Sequence, residues 1–111
     1  MRDNFKFNEK PIRDSAANLQ RGLETVGGWL YLTDQRLLFE SHGFNIQIGS
    51  TEIPLGQIEA TRLVWTKFLG FLPIFPNSLA VAVGDKEYSF VVSKREQWAS
   101  AIDTEVSRLR A

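Results

Sequence analysis

The sequence contains no cysteine and only one histidine, His42. The absence of thiols excludes disulfides, thiol catalysis and thiolate metal sites. His42 has no second ligand at metal-site spacing, so we predict no bound metal and no cofactor. Motifs of serine hydrolases, phosphate-binding loops and zinc proteases are also missing, which argues against an enzyme. Enzymatic activity would require His42 to converge with Glu40 or Asp34 in a pocket.

An excess of one charge and long hydrophobic runs are lacking as well. Thirteen basic and thirteen acidic residues give a formal net charge of zero at pH 7. This balance argues against nucleic-acid binding, because neutralising phosphates requires a basic excess or a basic face. No run reaches the roughly 18 apolar residues of a membrane helix, and the N-terminal residues lack the apolar stretch of a signal peptide. We expect a cytoplasmic protein, with peripheral attachment to a membrane left open.

The length of 111 residues fits one domain. Residues 1–14 alternate charged side chains with Phe5 and Phe7, and Pro11 interrupts any helix there. We interpret this segment as a flexible or extended N-terminal arm. The domain is then expected to span residues 15–111.

Most of the remaining chain has the two-residue alternation of β-strands. A tight hairpin is predicted between residues 29–33 and 36–41, preceded by a turn at Gly27-Gly28. A second hairpin is predicted between residues 78–83 and 86–92, with a glycine at its corner. Further short strands are predicted at 17–20, 53–55 and 58–65, giving about six or seven in total.

The C-terminal residues have helical rather than strand periodicity. A helix is predicted over about residues 94–110, with Ser93 and Glu96 forming a capping box. One stripe of this helix carries Trp98, Ala101, Ile102, Glu105, Val106 and Leu109. The stripe is the surface available to cover the buried face of the sheet, so the fold is expected to be mainly β with one amphipathic helix (α+β).

The run from Gly28 to Phe39, Gly-Trp-Leu-Tyr-Leu-Thr-Asp-Gln-Arg-Leu-Leu-Phe, resembles the signature of the GRAM domain family. Weaker similarity extends from about Ala16 to about Ile102. The resemblance implies a pleckstrin-homology-like, partly open barrel of about seven antiparallel strands with one C-terminal helix. It also implies an intracellular interaction module with lipid or protein ligands, and it does not imply a reaction.

The motif positions are expected to be structural: Gly28, Leu30, Leu32, Thr33, Arg36, Leu37, Phe39 and Trp98. Arg36 is expected to bond loop carbonyl groups or to pair with Asp34 or Glu40, because a guanidinium satisfies several acceptors at once. Trp98 is expected to lie in the core.

Phosphoinositide-binding relatives of this fold use basic residues in the loop between the first two strands. The corresponding predicted loop, residues 20–28, offers only Arg21, with Glu24 nearby. One arginine beside a carboxylate is a poor phosphate site, so the resemblance does not lead us to expect tight phosphoinositide binding.

The segment 65–76 is unusually apolar for a loop. The residues that we assign to a candidate binding surface are Trp65, Lys67, Phe68, Leu69, Phe71, Leu72, Ile74 and Phe75. The segment could cap the barrel core, contact a protein partner or a second copy of the chain, or insert shallowly into a membrane. Lys67 is its only cation, which favours protein contact over an anionic bilayer. The leading hypothesis is a protein-binding or self-associating module, and the alternative is peripheral lipid binding.

Overall fold

The computed structural model describes residues 5–21, 24–42, 50–68 and 72–111, and among these it describes no side chain at 21, 24, 66–68 or 72–76. The described residues form seven strands and one long helix: β1 (Pro11–Arg21), β2 (Glu24–Thr33), β3 (Arg36–Ser41), β4 (Ser50–Pro54), β5 (Ala60–Phe68), β6 (Leu72–Val83), β7 (Lys86–Val92) and α1 (Arg95–Arg110). A short 3-10 turn, Leu55–Gln57, joins β4 to β5.

All the strands pair antiparallel in a single sheet with the order β4-β3-β2-β1-β7-β6-β5. The sheet is not closed, because β4 and β5 are its two ends rather than neighbours. The predicted fold class is therefore confirmed. Both predicted hairpins are present, and the second turns at Gly84, whose φ of 60° suits glycine.

Alternating side chains from the strands meet α1 in one core. Its largest fully buried members include Leu30, Leu32, Leu37, Phe39, Leu55, Ile58, Leu79, Phe90, Trp98 and Ile102. Phe39 and Phe90 lie with ring centroids 5.9 Å apart in the middle of this core. Within the Gly28–Phe39 motif, the side chains of Leu30, Leu32, Leu37 and Phe39 bury the inner face of the β2–β3 hairpin.

The start of the sheet differs from its prediction. Gly27-Gly28 is not a turn but lies inside β2, where Gly28 pairs with Ser41 and Ala17. Only residues 22 and 23 separate β1 from β2, so the predicted loop 20–28 belongs mostly to the strands. β1 also begins at Pro11, which places residues 11–14 in the sheet rather than in the predicted arm. Glycine pairs mark turns in many sequences. Here the lack of a side chain at Gly28 allows the neighbouring strand β3 to pack closely against β2.

Gly28 is needed because β3 approaches it closely. A Cβ atom at this position would collide with the backbone oxygen of Glu40 and lie 2.6 Å from Cζ of Phe39. We expect Gly28→Ala to lower the free energy of unfolding by about 1–3 kcal/mol, the usual cost of overpacking. Chemical denaturation measures the loss. Gly56→Ala is the control, since a Cβ there meets only Cδ2 of Leu109 at 3.8 Å. Equal losses in the two variants would contradict this explanation.

Helix α1 occupies the predicted range, but the predicted capping box is wrong. Its N-cap residue is Lys94, in a left-handed conformation with φ 58°, and no side chain caps the helix. The chain bends at Lys94 on leaving β7, so Ser93 lies one residue too early to act as the cap. The stripe that faces the sheet buries Trp98, Ile102, Glu105 and Val106, whereas Leu109 is 56% exposed.

Candidate functional site

The two ends of the sheet differ in the surface that they offer. β4 has five residues and ends at Pro54. Its Glu52 is engaged by Arg36 and by Lys6 from the N-terminal segment, both at 3.1 Å. β5 has nine residues and contains no proline. An edge strand that is long and proline-free can pair with another strand, so among the described strands β5 is the more open end of the sheet.

Two large apolar side chains are exposed on β5. Leu63 is 46% exposed and Trp65 is 52% exposed. Leu63 pairs with Leu79, which is fully buried in the core. Directly opposite residues of an antiparallel pair point to the same face, and so do residues two apart on one strand. Leu63 and Trp65 therefore extend the core face of the sheet to its edge, where they meet solvent.

Helix α1 is bonded to the first half of β5 and to the residues just before it. Nη1 of Arg95 donates to the carbonyl oxygens of Val64, at 2.7 Å, and Ser78, at 3.1 Å. The Thr61 hydroxyl donates to Asp103 at 2.9 Å. At the C-terminal end of the helix, Arg110 donates to the carbonyl oxygen of Ile58, just before β5, at 2.7 Å. The helix thereby holds the strand in place beside the exposed pair.

The segment predicted as an apolar loop is the end of the β5–β6 hairpin. Phe68 pairs with Leu72, and the register shifts near Thr66 insert the extra residues into β6, so β5 itself continues without interruption. Trp65 is the one predicted binding residue whose side chain the structure describes. Leu69 and Phe71 lie outside the described residues, as do the side chains of Lys67, Phe68, Leu72, Ile74 and Phe75. Sequence reasoning did not assign Leu63 to this surface, although its alternation with Trp65 was visible.

Arg36 lies in a buried ion pair on the opposite side of the sheet from the core. Its Nε and Nη2 donate to the two carboxylate oxygens of Glu9 at 2.8 and 3.0 Å. Nη1 donates to Glu52 at 3.1 Å. The Thr33 hydroxyl donates to Glu9 at 2.6 Å. Neither predicted partner, Asp34 or Glu40, is the carboxylate that holds the guanidinium.

The charges of this group stabilise one another. Burial opposes ionisation of Glu9, but hydrogen bonds from Arg36, Thr33 and the Lys6 amide outweigh it and lower its pKa from 4.5 to about 2. Hydrogen bonds to Glu9 raise the pKa of Arg36 in turn. Lys6 and Arg36 lower the pKa of Glu52. Every charged group has a partner within the chain, so the group is suited to stability rather than to ligand binding.

The same N-terminal segment covers the outer face of β2. The ring of Phe5 stands edge-on to Tyr31 with centroids 5.4 Å apart, and Tyr31 is only 5% exposed. Sequence reasoning missed the role of Glu9 because its partner Arg36 is 27 residues away. The signal available was an acidic residue just before the first strand, which is too common to be informative.

The surroundings of His42 and Asp34 bear on whether these residues could converge in a catalytic pocket. The depression beside His42 is lined by Ala16, Ala17, Asn18, Gly27, Gly28 and Val91. Asp34 instead accepts a hydrogen bond from the Lys10 amide at 2.9 Å. Among the described residues, no group of three metal-ligating side chains comes together. The described part of the chain also holds no helix with the length and hydropathy of a membrane span.

Comparison with known proteins agrees with this architecture. The sequence model of the GRAM domain matches residues 1–108. The fold is similar to the C-terminal domain of an unknown protein from Leishmania infantum, with a TM-score of 0.72 and 17% identity, covering 90% of this chain and 86% of that one. It is similar to the Vps36 N-terminal PH domain, with a TM-score of 0.69 and 17% identity over 95% of this chain and 84% of that one.

A third structure was solved with a ligand. The Slm1-PH domain in complex with inositol 4-phosphate matches with a TM-score of 0.56 and 10% identity, covering 87% of this chain and 95% of that one. At these identities the similarity extends to the fold alone. No curated protein sequence matches the chain.

Proposed function

The chain belongs to the GRAM domain family, and from this premise we propose that it is a non-enzymatic binding module that acts through protein contact at the β5–β6 hairpin. The single observation that carries the proposal is the exposure of Leu63 and Trp65 on an edge strand, 46% and 52% respectively. Large apolar side chains grouped at the edge of a sheet mark interaction surfaces. Along the chain, Trp65 is followed by further apolar residues between positions 68 and 75.

The electrostatics of the hairpin favour protein over an anionic membrane. Lys67 is the only cation between residues 65 and 76. Nearby, Arg62 is already paired with Glu87, its Nη2 donating at 2.6 and 2.7 Å. Binding to anionic bilayers by shallow insertion normally combines apolar residues with several free basic ones. The balanced net charge likewise supports a partner other than nucleic acid.

Peripheral lipid binding is the second candidate function. It is favoured by the similarity to the Slm1-PH domain, which binds inositol 4-phosphate in its own complex. It is disfavoured by the connection between β1 and β2, which leaves only residues 22 and 23 where a phosphate-binding loop would lie. The predicted cytoplasmic location stays a prediction.

Trp65→Asp separates these functions. If protein contact is correct and includes self-association, sedimentation velocity over a concentration series shows reversible association of the wild-type chain. We expect a loss of at least about tenfold in association constant for Trp65→Asp, because a charge placed in an apolar contact costs more than 1.4 kcal/mol. Thr104→Asp, at an exposed position on α1, is the matched control and should leave association unchanged.

Vesicle co-sedimentation completes the test with neutral, anionic and phosphoinositide-containing vesicles. Binding to vesicles that is lost in Trp65→Asp, together with no self-association, would replace the proposal with the lipid function. A strictly monomeric chain that binds no vesicle would remove both self-association and lipid binding.

A further inference from the structure

The free edge of β5 has properties that natural edge strands usually avoid. Edges are commonly protected by short length, proline, charged side chains or a covering helix; β5 carries Arg62 and Lys67, but it is neither short nor interrupted by proline. β4 is protected in this way by Pro54 and by the paired Glu52. In contrast, the described edge of β5 is nine residues long and exposes Leu63 and Trp65. A long, proline-free edge with exposed apolar side chains is suited to receiving another strand.

We propose that β5 pairs antiparallel with β5 of a second copy of this chain, around a two-fold axis at Val64, so that the two sheets join into one. This inference rests on the proposed function and specifies its partner and geometry. A two-fold contact uses the same surface on both copies and is closed, so it yields a dimer rather than a fibre.

The sequence of β5 selects this register over its neighbours. With the axis at Val64, Leu63 of each copy lies opposite Trp65 of the other, and the pair is apolar on both sides. An axis at Leu63 would pair the two Leu63 residues but place each Trp65 opposite Thr61. An axis at Trp65 would pair the two Trp65 residues but place each Leu63 opposite Lys67. Aromatic and aliphatic cross-strand pairs stabilise a sheet, whereas an apolar residue opposite a polar one does so less.

The charges on the strand are compatible with this register. Position 67, a lysine, falls opposite Thr61 of the other copy, whose hydroxyl is bonded to the exposed carboxylate of Asp103. Arg62 falls opposite Thr66, so no two like charges lie opposite each other. Because like charges directly opposite are destabilising, their absence along the strand supports pairing between identical copies.

Cysteine cross-linking tests the geometry, since the natural chain has no cysteine. Opposite residues of antiparallel strands have Cα atoms about 4.5–5.5 Å apart, which is within the range of a disulfide. We expect Val64→Cys chains to form disulfide dimers at least about tenfold faster than Thr104→Cys chains, because pairing raises the effective concentration of the thiols. Adding Trp65→Asp to Val64→Cys should remove this advantage.

A second measurement addresses the register without altering Val64. Mixing Thr61→Cys chains with Lys67→Cys chains should give the mixed disulfide in preference to either homodimer. Equal cross-linking rates at positions 64 and 104, or no preference for the mixed disulfide, would overturn strand pairing. If association still depends on Trp65 in that case, protein contact at the hairpin stands and only the paired-strand geometry fails. If the chain is monomeric and Trp65 affects only vesicle binding, the occupant of the surface is lipid and both proposals fall.

Discussion

Replacing Arg36 with methionine is expected to lower the free energy of unfolding by about 3–5 kcal/mol, the usual loss when one partner of a buried ion pair is removed. The side chain of Glu9 is fully buried, and that of Arg36 is 8% exposed. Methionine retains much of the length of arginine but leaves the Glu9 carboxylate without its two guanidinium hydrogen bonds. Urea denaturation followed by tryptophan fluorescence measures the loss.

A double-mutant cycle measures the interaction free energy between the Glu9 carboxylate and the Arg36 guanidinium. Glu9→Gln combined with Arg36→Met should lose less than the sum of the single variants, because the second substitution removes an already unpaired group. Arg62→Ala is the control at an exposed ion pair and should change stability little. A loss for Arg36→Met as small as that for Arg62→Ala would show that the buried pair is unimportant.

The pH dependence of stability provides a separate check on Glu9. Its pKa is lower in the folded chain, about 2, than the ordinary value of 4.5. Ionised Glu9 therefore stabilises the fold fully above pH 4.5, and this contribution is lost as the pH falls towards 2. From the difference in pKa, the contribution is about 3 kcal/mol. The stability difference between wild type and Glu9→Gln should shrink over this interval.

Replacing Trp98 with alanine is expected to lower the free energy of unfolding by about 3–5 kcal/mol, because it removes a large buried side chain and leaves a cavity. Trp98 is fully buried between α1 and the sheet. Arg13 lies over its ring at 5.4 Å from the centroid, so the substitution also removes a cation–π contact. Calorimetry or urea denaturation measures the effect.

Two further variants separate the contributions at this position. Trp98→Phe should cost less than Trp98→Ala, because it keeps part of the volume and because, within the described residues, the indole Nε1 has no hydrogen-bond acceptor to lose. Leu109→Ala, on the same predicted stripe but 56% exposed, should have a small effect. Equal losses for Trp98→Ala and Leu109→Ala would contradict the placement of Trp98 at the centre of the core.

Sequence reasoning was sufficient to predict the environment of Trp98 but not that of Arg36. The burial of Trp98 was predictable, because helical periodicity places it on the apolar stripe of α1 and local spacing is enough. The partner of Arg36 was not predictable. Asp34 and Glu40 are close in sequence, but Asp34 accepts from the Lys10 amide, and the guanidinium reaches Glu9 across the N-terminal segment. Ion pairs between residues far apart in sequence depend on the three-dimensional path of the chain that brings them together. No local sequence pattern contains that information.

The glycine pair and the helix cap show a second limit. Gly27-Gly28 and Ser93 both carry residue types with strong local preferences, for turns and for helix N-termini. Close approach of β3 keeps Gly28 inside a strand, and the left-handed bend at Lys94 displaces the cap from Ser93. Tertiary packing outweighed both preferences.

The sequence alone determined the class of the fold, its two hairpins, its C-terminal helix and its family, because alternation, helical periodicity and the Gly28–Phe39 motif are local patterns. It also drew attention to the apolar segment 65–76. Only the tertiary structure decided that the start of this segment belongs to an edge strand, since the order of strands in a sheet follows from long-range pairing. That edge placement exposes Leu63 and Trp65 together, and it turns a general expectation of binding into a proposed surface with a defined geometry.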